Sequence, residues 1–289
     1  MKKSRNFAFF TLALLFFFDI FAWIAVYDLS KLHFLEVNFF DIGQGDAIFI
    51  ETPQKHQILI DGGPGSAILE KLGENLAFWD RSIDLIILTH PEYDHLAGLI
   101  EVLKRYKIEN ILWTGVVRDT AEYEEWQRLI EEEKSKIYIA KNSQKITWSR
   151  FDIDQYIEIL YPLENLEGKE LKDSNNTSVV AKLAIGKNSF LFTGDIYKSA
   201  ERELIKKGAS LDSDILKVGH HGSKTSTSEE FLKMVTPKIA IISIGKDNRY
   251  GHPHQEVLEI LTKYGIKILR TDLDGDIKII SDGKSLITK

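Results

Sequence analysis

Two histidines and two carboxylates crowd into one short stretch, Thr89-His90-Pro91-Glu92-Tyr93-Asp94-His95. Imidazole and carboxylate together suit Zn²⁺, Mn²⁺ or Fe²⁺, and a short loop can aim alternate side chains at one ion. A lone histidine in a loop is more often an ordinary polar residue. Four ligand-type side chains within six positions make metal chemistry the stronger reading. The chain has 289 residues and no cysteine, so a metal must be held by His, Asp or Glu, and disulfides are excluded. More such residues close other apolar runs: Asp61 before Gly62-Gly63, Asp195 after Thr193-Gly194, His220 and His221 after Gly219, and His252 after Tyr250-Gly251.

The elements around the stretch explain how it can be held. Residues 83–88 are an apolar run that reads as a buried strand. Leu96, Leu99, Ile100 and Leu103 recur at helical spacing, so the cluster sits in a strand-to-helix loop. Upstream, residues 33–40 and 47–51 read as strands around a turn containing Gly43 and Gly45, and residues 57–60 as a strand ending at Asp61. Residues 120–134 form an acidic helix with Tyr123, Trp126, Leu129 and Ile130 on its inner face, its glutamates being a solvated face. The second half repeats this grammar. Strands are expected at 178–185, 189–192, 214–218 and 239–244, with helices at 196–207 and around Val257, Leu258, Leu261 and Tyr264. Hairpins mixed with single covering helices, twice over, predict an α/β four-layer αββα sandwich of two mixed, mostly antiparallel sheets.

At the N-terminus Lys2, Lys3 and Arg5 precede a nearly all-apolar run over residues 7–26. About 20 such residues suffice to cross a hydrocarbon core. The basic residues in front put the N-terminus in the cytosol and the remainder outside a single-pass anchor. Asp19 costs a few kcal/mol within such a span, less near its outer end. A cleaved signal peptide, leaving a secreted protein, is the rival reading, although no clean small-x-small site follows. The expected division is 1–28 as anchor and 29–289 as one catalytic domain. Net charge is −6, and setting aside Lys2, Lys3, Arg5 and Asp19 leaves 34 basic against 42 acidic residues. Such a body has no global attraction for nucleic acid. Lys217, Lys224 and Lys246 leave room for a local basic groove.

Seven ordered motifs give the chain a resemblance. They are Asp41-Ile-Gly-Gln-Gly-Asp46, Leu59-Ile-Asp-Gly-Gly63, Thr89-His-Pro-Glu-Tyr-Asp-His95, Asn175-Asn-Thr-Ser178, Thr193-Gly-Asp195, Lys217-Val-Gly-His-His-Gly-Ser223 and Tyr250-Gly-His-Pro253. Together they resemble the metallo-β-lactamase superfamily, and in particular the extracytoplasmic hydrolase domain of the ComEC competence DNA-uptake family. The resemblance implies a hydrolase with two divalent ions, Zn or Mn. It matches His90 and Glu92 to one metal position, Asp94 and His95 to the second, and Asp195 to the bridging carboxylate. His220, in preference to His221, matches the last ligand. Asp61 matches the carboxylate that braces the metal loop, and His221 is placed behind the ligands beside it. The chain departs from the superfamily pattern at Glu92, which stands where a second histidine is usual, and at Ala97, which replaces a frequent glycine. A third histidine for the first metal position has no counterpart.

Metal-assisted phosphodiester hydrolysis follows, with Asp94 at the attacking water and His252 binding a phosphate or protonating the leaving oxygen. Asn176, Ser178, Gly222 and Ser223 are expected to receive phosphate oxygens. Asn176 and Ser178 read equally well as turn formers, and His252 as a helix cap. The implied substrate is single-stranded DNA during uptake, reached beside a separate channel protein because only one span is expected here. Two alternatives stay open: hydrolysis of another ester, such as a phosphorylcholine ester or nucleotide, and a metal-poor binding module that retains the fold.

Overall fold

Apolar runs such as Leu85-Ile86-Ile87-Leu88 lack polar alternation and must be covered on both faces. The computed structural model, which describes residues 2–30, 34–148 and 155–289, shows how. A first sheet holds β1 (Leu35–Phe39), β2 (Ile48–Glu51), β3 (Gln57–Ile60), β4 (Ser82–Ile87), β5 (Lys107–Trp113) and β6 (Lys136–Ile139). A second holds β7 (Gln144–Ile146), β8 (Gln155–Tyr161), β9 (Val180–Ile185), β10 (Asn188–Phe192), β11 (Ile215–Lys217), β12 (Ile239–Ile242) and β13 (Lys267–Arg270). The last strands, β14 (Ile277–Ser281) and β15 (Leu286–Thr288), return to the first sheet in the order β15-β14-β1-β2-β3-β4-β5-β6. The second sheet is ordered β13-β12-β11-β10-β9-β8-β7.

Between the sheets lie Phe39, Ile48, Ile50, Ile60 and Ile87 from one side and Ile157, Leu183, Phe190, Phe192 and Ile241 from the other. Helices α2 (Ala67–Asn75), α3 (Tyr93–Leu103) and α4 (Ala121–Glu133) cover the outer face of the first sheet, with Leu96, Leu99 and Trp126 inside. Helices α5 (Lys198–Lys207), α6 (Glu229–Val235) and α7 (Gln255–Lys263) cover the second through Leu204, Phe231 and Leu261. A single turn, α8 (Thr271–Asp274), follows β13. This is the four-layer αββα sandwich. Both sheets are mixed: seven of the thirteen strand pairings are antiparallel, while β3 to β6 and β10 to β13 run parallel. Most of these parallel steps cross over through a covering helix, which parallel pairing requires.

Local chemistry sets the ends of the helices. The Thr120 hydroxyl accepts from Tyr123 N to cap α4, and Ser228 accepts from Phe231 N to cap α6. Gly208 ends α5 at φ 71°, where a side chain would be strained. The approach of α3 to the end of β3 needs two glycines, since a Cβ on Gly98 would lie 1.8 Å from Gly62 O. Gly62 N donates to His95 O and Gly98 N to Gly63 O, which fixes α3 to the end of β3.

Residues up to His33 form a separate unit from Phe34–Lys289. In it α1 (Lys2–Ser30) is one continuous helix whose rings at Phe9, Phe10, Phe16, Phe17, Phe18, Phe21 and Trp23 are exposed. Among the described residues no helix is long and apolar enough to cross a membrane, so the span expected over residues 7–26 is not established by the structure. His33, expected to open the first strand, lies outside the described residues.

Candidate metal centre

Parallel strands deliver their C-terminal ends to one edge, and the second sheet does the same alongside the first. Asp61 follows β3, His90 follows β4, Asp195 follows β10, and His220 and His221 follow β11. The sheets meet there: Val179 N donates to Thr89 O, and Asp46 from the β1–β2 loop pairs with Lys217 at 2.6 Å, both fully buried. Gly45, at φ 140°, lets that loop close on the metal loop; a Cβ there would sit 2.1 Å from Asp94 O.

Each inner histidine has one ring nitrogen committed outward. His95 Nδ1 lies 2.8 Å from Asp61 Oδ2, and His221 Nδ1 lies 2.8 Å from the carbonyl of Ser243; both partners only accept. His90 Nδ1 faces the hydroxyls of Thr89 at 3.0 Å and Ser178 at 3.2 Å. Those hydroxyls already donate, Thr89 to Asp61 at 2.6 Å and Ser178 to Asn175 O at 2.6 Å, so His90 Nδ1 must be the donor. Each ring is therefore left with Nε2 uncommitted, and none of the three Nε2 atoms has a hydrogen-bond partner. That is how metal-binding histidines are held.

The carboxylates complete the cluster. Asp94, His95, Asp195 and His221 each offer a ligand atom, all within 4.8 Å of one another. Asp195 Oδ2 stands 3.4 Å from both His95 Nε2 and His221 Nε2, while its Oδ1 is buried without a partner. Asp94 Oδ2 is 3.4 Å from His221 Nε2. Buried, unpartnered nitrogen and oxygen donors in this number fit a divalent cation. Without one, protons hold the cluster together. Burial pulls His95 down, but Asp195, Asp61 and Asp94 lift it well above its ordinary value. His221 is likewise opposed by burial yet pushed up to about 10 by Asp195, Asp94 and Asp46. Burial resists ionisation of Asp94 and Asp195, but the two histidines hold both below the usual carboxylate range. His90 falls to about 3, through burial and then the neighbouring His95. For Asp61 burial outweighs its hydrogen bonds and raises it.

Two expected ligands stand elsewhere. Glu92 turns away from the cluster: Arg118 Nη2 lies 3.0 Å from its Oε1, and Ser174 Oγ donates to the same oxygen at 2.6 Å. Arg118 is itself fixed on the carbonyls of Leu171 and Lys172. His221 takes the place expected of His220. His220 Nε2 is 3.9 Å from Asp195 and accepts from Asn175 Nδ2 at 3.3 Å, and its Nδ1 faces Thr225 Oγ1 at 3.2 Å. Both residues occupy the left-handed region, at φ 48° and 53°. Two such non-glycine residues cost about 1–3 kcal/mol each and persist where the surroundings dictate them.

The remaining expected residues line the rim. Asp61 accepts from Thr89 N at 2.8 Å as well as from His95, and so ties the loop to the end of β3. His252 stacks beside His220 at 5.5 Å and Tyr250 at 5.7 Å, with a buried, unpartnered Nδ1. Partial burial and the nearby His220, His221 and His254 hold it down to about 4. Ser178 links the halves, facing His90 and accepting from Asp195 N at 3.0 Å. Asn176 Oδ1 accepts from Tyr197 N at 2.9 Å. Ser223 is buried with its hydroxyl 2.9 Å from Thr225, and Gly222 packs on Pro253, where a Cβ would come within 2.6 Å. Asn176 Oδ1 and the Ser223 hydroxyl thus have partners within the protein.

Thr89, Arg118, Ser174 and Asn175 had no assigned role in the sequence reading, and Asp46 appeared only within a motif. Asp46 and Lys217 carried a signal, a charge of each sign inside glycine-bearing motifs at strand ends; Arg118 and Ser174 carried none. A cavity of about 430 Å³ lined by His56, Asp84, Glu109, Lys145 and Trp148 lies toward the other ends of the strands and holds none of the cluster.

Residues 40–246 match the metallo-beta-lactamase superfamily, and the chain belongs to it. ComE operon protein 3 of Bacillus subtilis is 36% identical over 261 residues, 84% of this chain and 32% of its own length. Competence protein ComA of Neisseria gonorrhoeae is 34% identical, over 83% of this chain and 31% of its own. The chain thus spans about a third of the curated relatives it matches. Among solved structures, the metallo hydrolase Igni18 of Ignicoccus hospitalis aligns with a TM-score of 0.53 at 14% identity, covering 89% of this chain and 98% of that one.

Proposed function

We propose that this metallo-beta-lactamase superfamily hydrolase is a phosphodiesterase of the ComEC-like type, acting on single-stranded DNA during uptake beside a separate channel protein. In this reading α1 is a single-pass anchor in the cell membrane, with the N-terminus cytosolic and the hydrolase domain extracytoplasmic. The basic residues ahead of its apolar run support that orientation. The observation that carries the activity is the convergence of Asp94, His95, Asp195 and His221.

Those four residues would hold one ion, Zn or Mn. His90 and Asp195, each with a buried unpartnered atom, would be the protein's donors to a second ion, which Glu92 does not join because Arg118 keeps it. Divalent ions there supply an acidified water and polarise a phosphoryl oxygen. Asp94 is ionised at neutral pH and is the most open of the four, its side chain 30% exposed, so it can orient the attacking water. His252 is neutral at pH 7, which suits it to donating a ring N–H to a phosphate oxygen rather than delivering a proton to the leaving group. Asp61, Thr89 and Ser178 fix the imidazoles.

The test is metal content of the full chain, with Mn²⁺- or Zn²⁺-dependent hydrolysis of bis(p-nitrophenyl) phosphate and single-stranded DNA. Bound metal with activity lost in Asp94→Ala and His95→Ala supports the reading. Metal without phosphodiester cleavage moves the substrate to another ester. Neither metal nor activity leaves a binding module.

A further inference from the structure

The loop from α2 to β4 ends in Phe78 and Trp79, which are 79% and 74% exposed with rings edge to face at 4.7 Å. The pair covers no core. The loop beneath it is nonetheless pinned, since Asp80 accepts from Gln57 Nε2 at 2.6 Å and from Ser82 Oγ at 3.0 Å. An aromatic pair held out on a fixed base is suited to a surface that is apolar below and wet above.

Strand register shows which edge this is. Glu36 pairs with Glu51, Glu51 with Gln57, Ile58 with Leu85 and Ser82 with Lys107. The start of β1, the β2–β3 turn and the starts of β4 and β5 therefore share the edge opposite the metal cluster. Phe34, 40% exposed, begins this unit. Three strand spacings, about 14 Å, separate β1 from β4. Exposed Arg81 and Lys107 flank the pair; Arg81 donates to the Asp80 carbonyl and lies over the Tyr106 ring, leaving its charge without an ion pair among the described residues. Cations there complement anionic lipid headgroups.

We propose that the Phe78–Trp79 tip docks into the interfacial layer of a lipid bilayer. This is a second membrane contact, resting on the reading of α1 as the anchor. Docking there turns the metal cluster outward, a strand length or about 20 Å further from the bilayer.

The absence of cysteine makes the test direct. Full-length chain carrying a single Ala77→Cys, Phe16→Cys or Tyr250→Cys is labelled with an environment-sensitive fluorophore. It is reconstituted in phosphatidylcholine–phosphatidylglycerol vesicles containing nitroxide lipids. Position 77 should lose roughly half its emission to shallow nitroxides, as expected of an interfacial site, with position 250 unaffected. Adding Phe78→Ser and Trp79→Ser should abolish the quenching at 77 while position 16 stays quenched by deep nitroxides. Quenching at 16 without quenching at 77 overturns the docking and leaves the anchor. Quenching at 77 without 16 supports the docking and overturns the anchor, and quenching at neither overturns both. Quenching at 77 that survives loss of both aromatics also overturns the proposal.

Discussion

The two acidic residues of the central loop, two positions apart, meet opposite fates. Asp94 faces His221 and the unpartnered atoms of the cluster, whereas Glu92 faces Arg118 and Ser174 and is already satisfied. The difference lies in neither carboxylate. Asp94 opens onto residues whose other polar atoms are committed elsewhere, and Glu92 meets a cation fixed by two backbone carbonyls. A ligand-type residue becomes a ligand only where the fold leaves its lone pairs unspent.

The largest effect should come from the rich side. Asp195→Ala or His95→Ala should reduce metal-dependent hydrolysis by on the order of 10³-fold or more, because each removes an ion's ligand. Asp61→Ala should weaken metal affinity by roughly 10–100-fold, the usual cost of losing a partner that orients a ligand. Isothermal titration with Mn²⁺ reads that change. Glu92→Gln should leave metal affinity within about threefold while lowering stability by about 1–3 kcal/mol, since Arg118 loses its charged partner. A loss of affinity in Glu92→Gln as large as in Asp195→Ala would erase the contrast between the two sides.

Much of this was legible in the sequence. Apolar runs ending in Asp or His gave the strands, and their shared C-terminal edge explains why distant motifs meet. The parallel half of each sheet was less visible, because buried parallel strands and hairpin strands are both simply apolar when covered on two faces. The choice between His220 and His221 was not legible at all. Adjacent residues in the left-handed region send their rings in directions that neither residue type nor spacing encodes. The placement of Glu92 was not legible for another reason: its partners lie 26 and 82 residues away, in segments with no motif of their own.

A smaller effect concerns pH. His221 and His95 are raised above the unfolded value of about 6.5, so in chelator their contribution to stability is full below that pH. It is lost as pH rises toward about 10, where His221 titrates. Asp94 and Asp195 are depressed, so theirs is present above about pH 4 and lost on acidification. His90 and His252, held down to about 3 and about 4, cost stability as pH falls below about 6.5, so the metal-free melting temperature should peak near pH 6.5 and decline on either side. Metal competes with the same protons, so Mn²⁺ should bind more tightly as pH rises. A chelated protein whose melting temperature stays flat from pH about 6 to 10 would argue against protons holding the cluster.

The most direct measurement is metal content, by inductively coupled plasma mass spectrometry, of the full chain and of His221→Ala and His220→Ala. The geometry predicts that His221→Ala loses its bound ion while His220→Ala retains it, because only His221 turns a free Nε2 into the cluster. Retention in His221→Ala with loss in His220→Ala would contradict the arrangement of the site.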